Sequence, residues 1–188
     1  MKRIVFITGA SSGIGLACAE KFAAAGDDLV ITGRRVERLE SLKTSLQSRY
    51  NIECHAASFD IQDKDAVKLA VENLPDRFKH VDILINNAGL ALGRNYFQDA
   101  DMNDWETMIN TNINGLVYIS RAVIPAMIKR KTGHIINLGS IAGHEVYEKG
   151  NMYCATKFAV DALSKSMRID LLKHHIKVTN ISPGAVNT

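Results

Sequence analysis

The sequence predicts a three-layer α/β fold, in which a doubly wound parallel β-sheet is covered by helices on both faces. Short apolar runs alternate with helical patterns along the whole chain, and this order is typical of parallel strands joined by crossover helices. Most of the runs are nearly continuous in Val, Ile and Leu, which indicates strands that are buried on both faces. No linker and no internal repeat interrupts the alternation, so we expect one domain spanning residues 1–188.

Strands and helical segments can be assigned in chain order from these patterns. The predicted strands are residues 3–8, 28–32, 52–58, 81–86, 134–138 and 177–181. Apolar stripes at helical spacing lie within residues 14–25, 36–46 and 67–74, and longer helical patterns cover residues 101–129 and 151–174.

The composition excludes several classes of protein. With 188 residues, 46% hydrophobic and 23% charged, the chain is a globular domain rather than a disordered segment. The net charge of +3 is spread along the chain, so we expect no nucleic-acid partner. No apolar run is long enough for a membrane span, and we expect neither a secretory signal nor a membrane partner. Three cysteines at unrelated spacings favour neither disulfides nor a metal site, and indicate a reducing, cytoplasmic setting.

Glycines cluster at the predicted strand ends that share one edge of the sheet. Gly9, Gly33, Gly89, Gly139 and Gly184 each fall within three residues of such an end. In an open α/β sheet this carboxyl edge holds the ligand crevice, and glycine lets the backbone turn sharply and approach a ligand closely. The pattern therefore predicts a long ligand lying across several strand ends.

The first glycine-rich loop has the features of a phosphate site. Residues 8–15 read TGASSGIG, directly after the first predicted strand and at the start of the first helix. The N–H groups and the positive dipole at a helix N-terminus bind a pyrophosphate when glycines let it come close. The alternative is a simple turn with a helix cap. We favour the phosphate site, because the loop follows a strand and begins a helix.

The residues after the second strand indicate which dinucleotide binds. An acidic residue at this point would bind the 2′-hydroxyl of NAD, but the chain has Arg34 and Arg35 instead. Arginine presents a permanently charged fork that suits a 2′-phosphate, so the expected cofactor is NADP. The alternative is a solvated basic start to the next helix. Because basic residues oppose the helix dipole there, we favour the ligand role for at least Arg34.

Ser140, Tyr153 and Lys157 form a third candidate cluster. Tyr153 and Lys157 are four residues apart in a predicted helix, so both side chains project from one face. A free tyrosine has a pKa near ~10, and a neighbouring cation stabilises its phenolate and makes it a more effective acid or base near neutral pH. Ser140 follows the fifth strand, where a hydroxyl can hold a substrate oxygen. On spacing alone, a surface pair is the alternative for the tyrosine and the lysine.

Several motifs together resemble the short-chain dehydrogenase/reductase family. They are TGASSGIG, NNAG at residues 86–89, Asn112 with Gly115, Ser140 thirteen residues before Tyr153, YCATK, and Pro183 with Gly184. The match in order and spacing covers essentially the whole chain and implies a Rossmann fold. The stretches NNAGLALG, DWETMINTN and GHIINLGS look most like the NADP-dependent branch that oxidises 3-hydroxy acids, serine and allo-threonine and reduces malonic semialdehyde.

The resemblance implies four catalytic residues. Tyr153 would be the general acid or base, and Lys157 would bind the nicotinamide ribose and assist the tyrosine. Ser140 would hydrogen-bond the substrate oxygen, and Asn112 would anchor a water molecule that links Lys157 to solvent. Hydride would pass between the substrate carbon and the nicotinamide, and no metal is expected.

The resemblance also implies contacts along the whole cofactor. Asp60, with Ile61 beside it, would meet the adenine, and residues 87–89 would line the adenosine ribose and the middle of the cofactor. The residues that would approach the nicotinamide are Pro183, Gly184, Val186 and Thr188. The expected cofactor-binding set is Gly9, Ser11, Ser12, Gly13, Ile14, Gly15, Arg34, Arg35, Asp60, Ile61, Asn87, Ala88, Gly89, Tyr153, Lys157, Pro183, Gly184, Val186 and Thr188.

We therefore expect an NADP-dependent oxidoreductase that acts on the hydroxyl-bearing carbon of a small 3-hydroxy acid of the serine, allo-threonine or 3-hydroxypropionate type. A broad-specificity NADPH carbonyl reductase is the alternative among enzymes. The alternative that is not an enzyme is a non-catalytic NADPH-binding regulator. A regulator would not need the catalytic set, which is intact in this sequence: Asn112, Ser140, Tyr153 and Lys157.

The resemblance also bears on the end of the chain and on assembly. In the family a substrate lid and a last strand follow the Pro-Gly motif, and the sequence holds neither of them after Gly184. We expect these residues to be part of a longer chain that carries them. We also expect a homo-oligomer, either a dimer or a tetramer.

Overall fold

The computed structural model describes residues 2–186 and contains one six-stranded sheet in which each strand is parallel to its neighbours. The strands are β1 (Ile4–Ile7), β2 (Asp28–Gly33), β3 (Cys54–Ser58), β4 (Ile83–Asn86), β5 (Gly133–Leu138) and β6 (Ile176–Ile181). Their order across the sheet is β3-β2-β1-β4-β5-β6. The chain thus winds outward in one direction from β1 and in the other from β4, which confirms the predicted doubly wound sheet.

Helices connect the strands. They are α1 (Gly13–Ala24), α2 (Val36–Tyr50), α3 (Lys64–Glu72), α4 (Met102–Ile109), α5 (Leu116–Arg130) and α6 (Asn151–Leu171). The pattern over residues 101–129 indicates one helix, but the structure places a π-helical turn, Asn110–Gly115, between α4 and α5. Gly115 lets this wider turn pack closely, because a Cβ there would lie 2.9 Å from Cγ2 of Ile61.

Both faces of the sheet are buried. Val5 and Ile7 of β1 pack in one core cluster with Ala19 of α1. Phe6, between them in the strand, packs in the other cluster with Ile119 of α5. Because successive side chains of a strand point to opposite faces, this arrangement explains why the strand runs are continuously apolar rather than alternating.

Two strands begin two residues later than the apolar runs predict. β3 starts at Cys54 and β4 at Ile83, whereas the runs start at residues 52 and 81. Ile52 and Val81 are nevertheless buried, so their apolar character reflects core packing just before each strand. Burial therefore extends beyond the hydrogen-bonded ladder at both places.

The fold leaves a binding region at one edge of the sheet. The direction of winding changes between β1 and β4, and a ligand of an open α/β sheet binds at the carboxyl ends of the strands at such a point. Within residues 2–186, no helix is both long enough and apolar enough to cross a membrane.

Candidate active site

A cleft of about 650 Å³ runs along the carboxyl edge of the sheet. Most of the predicted site residues line it, namely Gly9, Ser11, Ser12, Gly13, Ile14, Arg34, Arg35, Asp60, Ile61, Asn87, Ala88, Gly89, Ser140, Tyr153, Lys157, Pro183, Gly184 and Val186. Gly15 and Asn112 lie outside this lining, and Thr188 lies outside the described residues. The structure thus brings the glycine-rich loop, the arginine pair and the Ser-Tyr-Lys cluster to a single cleft.

The loop between β1 and α1 is packed tightly against the segment that follows β4. Gly9 and Gly13 have φ values of 66° and 56°, in the left-handed region that favours glycine. A Cβ on Gly15 would overlap the carbonyl oxygen of Gly9, and a Cβ on Gly9 would lie 3.0 Å from Cα of Ala88. These glycines therefore let the loop stay compact while its backbone faces the cleft.

Thr8 joins this loop to the segment after β4. Its Oγ1 accepts hydrogen bonds of 3.0 Å from the backbone N–H groups of both Asn87 and Ala88. The side-chain amide of Asn87 donates in return to the Thr8 carbonyl at 2.8 Å. Thr8 is absent from the predicted set, although its position between a buried strand and a glycine-rich loop is a signal that could identify it.

The N-terminus of α1 offers positive potential to the cleft. Ser12 is the N-cap residue, its side chain makes no capping hydrogen bond, and the first turn of the helix carries no acidic residue. Arg35 crosses this end of the helix, because its Nη2 donates to Oγ of Ser11 and to Oγ of Ser12, each at 2.8 Å. The helix dipole and a guanidinium therefore act at the same place, which suits a phosphate.

Arg34 lies beside Asp60 rather than on the glycine-rich loop. The closest distance between the guanidinium and the carboxylate is 3.7 Å, and the two side chains are 64% and 42% exposed. An exposed pair of this kind contributes about 0–1 kcal/mol, so Arg34 can turn toward a phosphate at little cost. Oδ1 of Asp60 is held by the N–H of Gln62 at 3.0 Å.

Lys157 is a buried cation in the same cleft. The residue is 8% exposed, and its Nζ donates to the backbone carbonyl of Leu138 at 2.8 Å. Burial lowers the pKa of Lys157 to about 8. Its Nζ lies 5.8 Å from the ring centre of Tyr153, so the two side chains lie together on α6 as their spacing predicts.

Ser140 begins a short 3₁₀ turn, Ile141–Gly143, that packs against α6. Its Oγ accepts a hydrogen bond of 3.1 Å from the N–H of Ala142. The turn can approach α6 because residue 143 is glycine, where a Cβ would lie only 2.7 Å from the Lys157 carbonyl oxygen. The N–H of Ile141 also donates to the Pro183 carbonyl at 3.0 Å, which ties the Ser140 turn to the Pro-Gly segment.

Asn112 is buried in the π-helical turn, and none of its hydrogen bonds within residues 2–186 goes to Lys157. Its Oδ1 accepts from the N–H of Leu90, and its Nδ2 donates to the Leu90 carbonyl, both at 2.9 Å. Nδ2 also donates to Oγ1 of Thr156 at 3.0 Å. Asn112 therefore links the segment after β4 to α6, and its predicted role in anchoring a water molecule stays a prediction.

A buried polar network, also absent from the predicted set, joins β4 and β5 to the helices that cover them. Nδ2 of Asn86 donates to Oγ of Ser120 at 2.9 Å and to Oδ1 of Asn137 at 2.8 Å. Asn137 donates onward to Oγ of Ser164 at 2.8 Å. Asparagine at the end of an apolar strand is a signal in the sequence, but pairing Asn86 with Asn137 requires the strand register.

Further residues line the cleft without having been predicted. They are Thr8, Thr32, Gly33, Phe59, Gln62, Leu90, Ala91, Thr111, Leu138 and Gly139. Most of them are sequence neighbours of predicted residues at the strand ends, so their position in the fold, rather than their chemistry, identifies them.

Comparisons with known proteins identify the family of the chain. Residues 3–188 match the family model of the short chain dehydrogenases. All of the chain aligns at 47% identity with a sulfoacetaldehyde reductase of Chromohalobacter salexigens, covering 74% of that protein. At 45% identity, 97% of the chain aligns with the NADP-dependent 3-hydroxy acid dehydrogenase YdfG of Escherichia coli K12, covering 72% of it.

A solved structure is similar over the same extent. The closed form of a serine dehydrogenase complexed with NADP⁺ superposes on 98% of the chain with a TM-score of 0.92 and 43% identity, and the chain covers 73% of that structure. The family model and these relatives match nearly every residue, and the chain belongs to the short-chain dehydrogenase family.

Proposed function

We propose that the protein is an NADP-dependent oxidoreductase that interconverts the hydroxyl group of a small 3-hydroxy acid and the corresponding carbonyl group. One observation carries this proposal. A single cleft is lined both by a loop and arginines suited to a phosphorylated dinucleotide and by Ser140, Tyr153 and Lys157. Relatives support the same chemistry, because YdfG is an NADP-dependent dehydrogenase of 3-hydroxy acids and the serine dehydrogenase structure contains NADP⁺.

The residues of the cleft fit NADP. The glycines of the β1–α1 loop let it pack compactly, and Ser12, Gly13 and Ile14 at the N-terminus of α1 line the cleft where a pyrophosphate would bind. Arg35, with Arg34 nearby, would pair with the 2′-phosphate. Asp60 and its neighbour would contact the adenine, residues 87–89 the adenosine ribose, and residues 183–186 the nicotinamide.

The side chains of the cleft would handle the proton. NADPH, when bound, supplies a hydride to the carbonyl carbon, so that the substrate becomes an alcohol once its oxygen gains a proton. Tyr153 donates this proton from its hydroxyl and accepts it in the reverse direction. Lys157 places a positive charge beside the ring and stabilises the phenolate that remains. Because Ser140 Oγ accepts from the Ala142 N–H, its own hydrogen can be donated to the substrate oxygen.

Asn112 and Lys157 would connect the tyrosine to solvent. A Cβ projecting from Gly89 would lie 3.2 Å from Oδ1 of Asn112 and 3.8 Å from Nζ of Lys157. Glycine therefore leaves a gap that borders both polar groups. A water molecule in this gap would pass a proton inward through the lysine after reduction of the carbonyl, and outward after oxidation of the alcohol.

The relatives favour a substrate with an acidic group. One of them reduces sulfoacetaldehyde, and another oxidises 3-hydroxy acids. In both classes the anionic group is separated from the reacting carbon by one carbon atom. We infer a substrate of this shape, with a carboxylate or a sulfonate.

Substitution of Tyr153 tests the mechanism. We expect Tyr153→Phe to abolish turnover of 3-hydroxypropionate with NADP⁺ while leaving NADPH binding nearly intact, because only the hydroxyl that moves the proton is removed. The matched control is Tyr50→Phe, at a tyrosine that contacts Arg49 on the surface. Steady-state kinetics and a fluorescence titration with NADPH are the measurements. Normal turnover by Tyr153→Phe would contradict the mechanism.

Substitution beside the arginines tests the cofactor. We expect Gly33→Asp combined with Arg34→Gln to shift the preference from NADP⁺ toward NAD⁺, because an aspartate at the end of β2 can bind a ribose 2′-hydroxyl and repels a 2′-phosphate. The ratio of kcat/KM for the two cofactors measures the change. An unchanged ratio would refute the role of this region in cofactor choice.

A further inference from the structure

We propose that Arg94 and Tyr147 together bind the anionic group of the substrate. This inference rests on the proposed function and extends it to residues that contact the acidic end of the substrate. The group bound is a carboxylate or a sulfonate that is separated from the reacting carbon by one carbon atom.

The segment that carries Arg94 is attached to the active site at several points. Ala91 lines the cleft, and Gly93 has a φ of 64°, so the chain turns sharply just before Arg94. The side-chain amide of Asn151 then donates to the carbonyl of Asn95 at 3.0 Å. Arg94 is therefore held beside the first turn of α6, the turn that also contains the reacting tyrosine.

Tyr147 lies on the segment between the Ser140 turn and α6. Its ring packs over Gly150, where a Cβ would lie 2.9 Å from Cε2 of the ring. Burial raises the pKa of Tyr147, with smaller contributions from Cys154 and Tyr153, and the guanidinium of Arg94 acts in the opposite direction. Because Gly150 directly precedes α6, the ring of Tyr147 lies beside the turn that contains Tyr153, and its hydroxyl stays protonated as a donor.

Both groups are without a protein partner among residues 2–186. Arg94 forms no ion pair there, and the Tyr147 hydroxyl, on a side chain that is 54% exposed, makes no hydrogen bond. Nearby groups of the same types differ in this respect. The hydroxyl of Tyr96 donates to Glu148 at 2.8 Å, and Nζ of Lys149 lies 4.5 Å from the ring centre of Tyr96.

The chemistry of the two free groups matches an oxyanion. A guanidinium donates two parallel hydrogen bonds to two oxygens of a carboxylate or sulfonate, and a phenol can donate one more. Because the segment that carries Arg94 and the ring of Tyr147 both lie beside the first turn of α6, which contains Tyr153, they can hold an acidic group while the neighbouring carbonyl faces Ser140 and Tyr153. A neutral aldehyde would gain nothing from either group.

A comparison of charged and neutral substrates tests the inference. The measurement is the selectivity ratio, defined as kcat/KM for an acidic aldehyde divided by kcat/KM for propanal, with NADPH. Sulfoacetaldehyde and malonic semialdehyde are the two acidic substrates, and their separate ratios distinguish a sulfonate site from a carboxylate site. We expect Arg94→Gln to lower the ratio about tenfold and Tyr147→Phe about fivefold, because the first removes a charged donor and the second a neutral one. Tyr96→Phe and Lys149→Gln are the matched controls, and neither should change the ratio.

A binding measurement keeps the subsite testable without turnover. We expect calorimetry to detect ethanesulfonate binding to the protein saturated with NADP⁺ and to show that Arg94→Gln weakens it. Failure of the wild type to reduce any of the three aldehydes would contradict the proposed function, while ethanesulfonate binding would still test the subsite. An unchanged selectivity ratio in Arg94→Gln, or equal binding of ethanesulfonate by wild type and variant, would overturn the inference and leave the proposed function standing.

Discussion

Replacing Lys157 with methionine should make the protein more stable while it destroys the proposed activity. Lys157 is 8% exposed, and burial lowers its pKa from 10.5 to about 8. At neutral pH the folded state therefore holds a charged ammonium group that would be better solvated in the unfolded chain. Methionine has a similar shape and removes this charge.

The expected gain can be worked out from the pKa and one hydrogen bond. A pKa that falls from 10.5 to about 8 corresponds to roughly 3 kcal/mol at pH 7, at ~1.4 kcal/mol for each pKa unit. The variant loses the hydrogen bond from Nζ to the Leu138 carbonyl, which is worth about 1 kcal/mol. The net increase in the free energy of unfolding is thus about 2 kcal/mol. For a protein of this size it would raise Tm by roughly 4–8 °C.

The pH dependence gives the sharper test. Because the pKa of Lys157 is lower in the folded state, the unfolded state binds more protons between pH 8 and pH 10.5, and the stability of the wild type rises with pH in this range. The methionine variant lacks this titrating group, so its stability does not rise with pH for this reason. The difference in the free energy of unfolding between the variant and the wild type should therefore shrink by about 2 kcal/mol between pH 7 and pH 9.5.

Urea denaturation of the cofactor-free protein at the two pH values measures both effects, and Lys177→Met, at an exposed lysine of β6, is the control. The control variant should show no comparable gain at pH 7 and no comparable change with pH. Two results would refute the buried-charge explanation. One is a Lys157→Met variant no more stable than the wild type at pH 7. The other is a gap between the two proteins that stays constant up to pH 9.5.

Three further substitutions test the packing around the cleft. Gly15→Ala should weaken NADPH binding about fivefold or more in calorimetry, because the added carbon overlaps the glycine-rich loop. Gly33→Ala, where the nearest atom would lie 3.4 Å from the added carbon, should lose less affinity for NADPH. Equal losses of affinity in the two variants would contradict this explanation. Asn137→Ala should lower the free energy of unfolding, measured by urea denaturation, by about 2 kcal/mol, because it leaves the buried partners of Asn137 unpaired. A loss near zero would show that the network contributes nothing to stability. Thr156→Val should lower kcat about tenfold with little change in KM for NADPH, because it removes the hydroxyl that holds Asn112. An unchanged kcat would show that the position of Asn112 does not affect proton transfer.

The sheet could be predicted because its signals are local. A strand buried on both faces requires consecutive apolar residues, so β1, with Val5, Phe6 and Ile7, is visible in the sequence. Helical spacing then implies crossover connections, and their handedness leaves few arrangements of the strands. The glycine-rich loop is visible for a similar reason, since Gly9 and Gly13 occupy backbone conformations that other residues rarely adopt.

The contacts that connect distant segments could not be predicted in the same way. Arg35 bonds Ser11 and Ser12 across two strand ends, and nothing in the spacing of these residues distinguishes this contact from a free arginine. Asn112 is similar, because its partner Thr156 lies forty-four residues away, on another helix. Such pairs depend on the packing of helices on the sheet, which local residue patterns do not specify.

The apolar pattern of the strands stops at the carboxyl edge of the sheet, where polar residues are needed around the cleft. Asn86, Asn137 and Asn180 are aligned in register across β4, β5 and β6, at positions where the strands could carry apolar residues if stability alone mattered. Oδ1 of Asn180 would lie only 2.5 Å from a Cβ on Gly139, directly after the strand whose carbonyl holds Nζ of Lys157. Removing these amides and this ammonium group from water costs free energy, which their hydrogen bonds and the apolar residues deeper in the sheet offset. The end of the apolar pattern at the carboxyl edge is therefore itself a signal of function, because the fold accepts buried polar groups where they position the residues around the cleft.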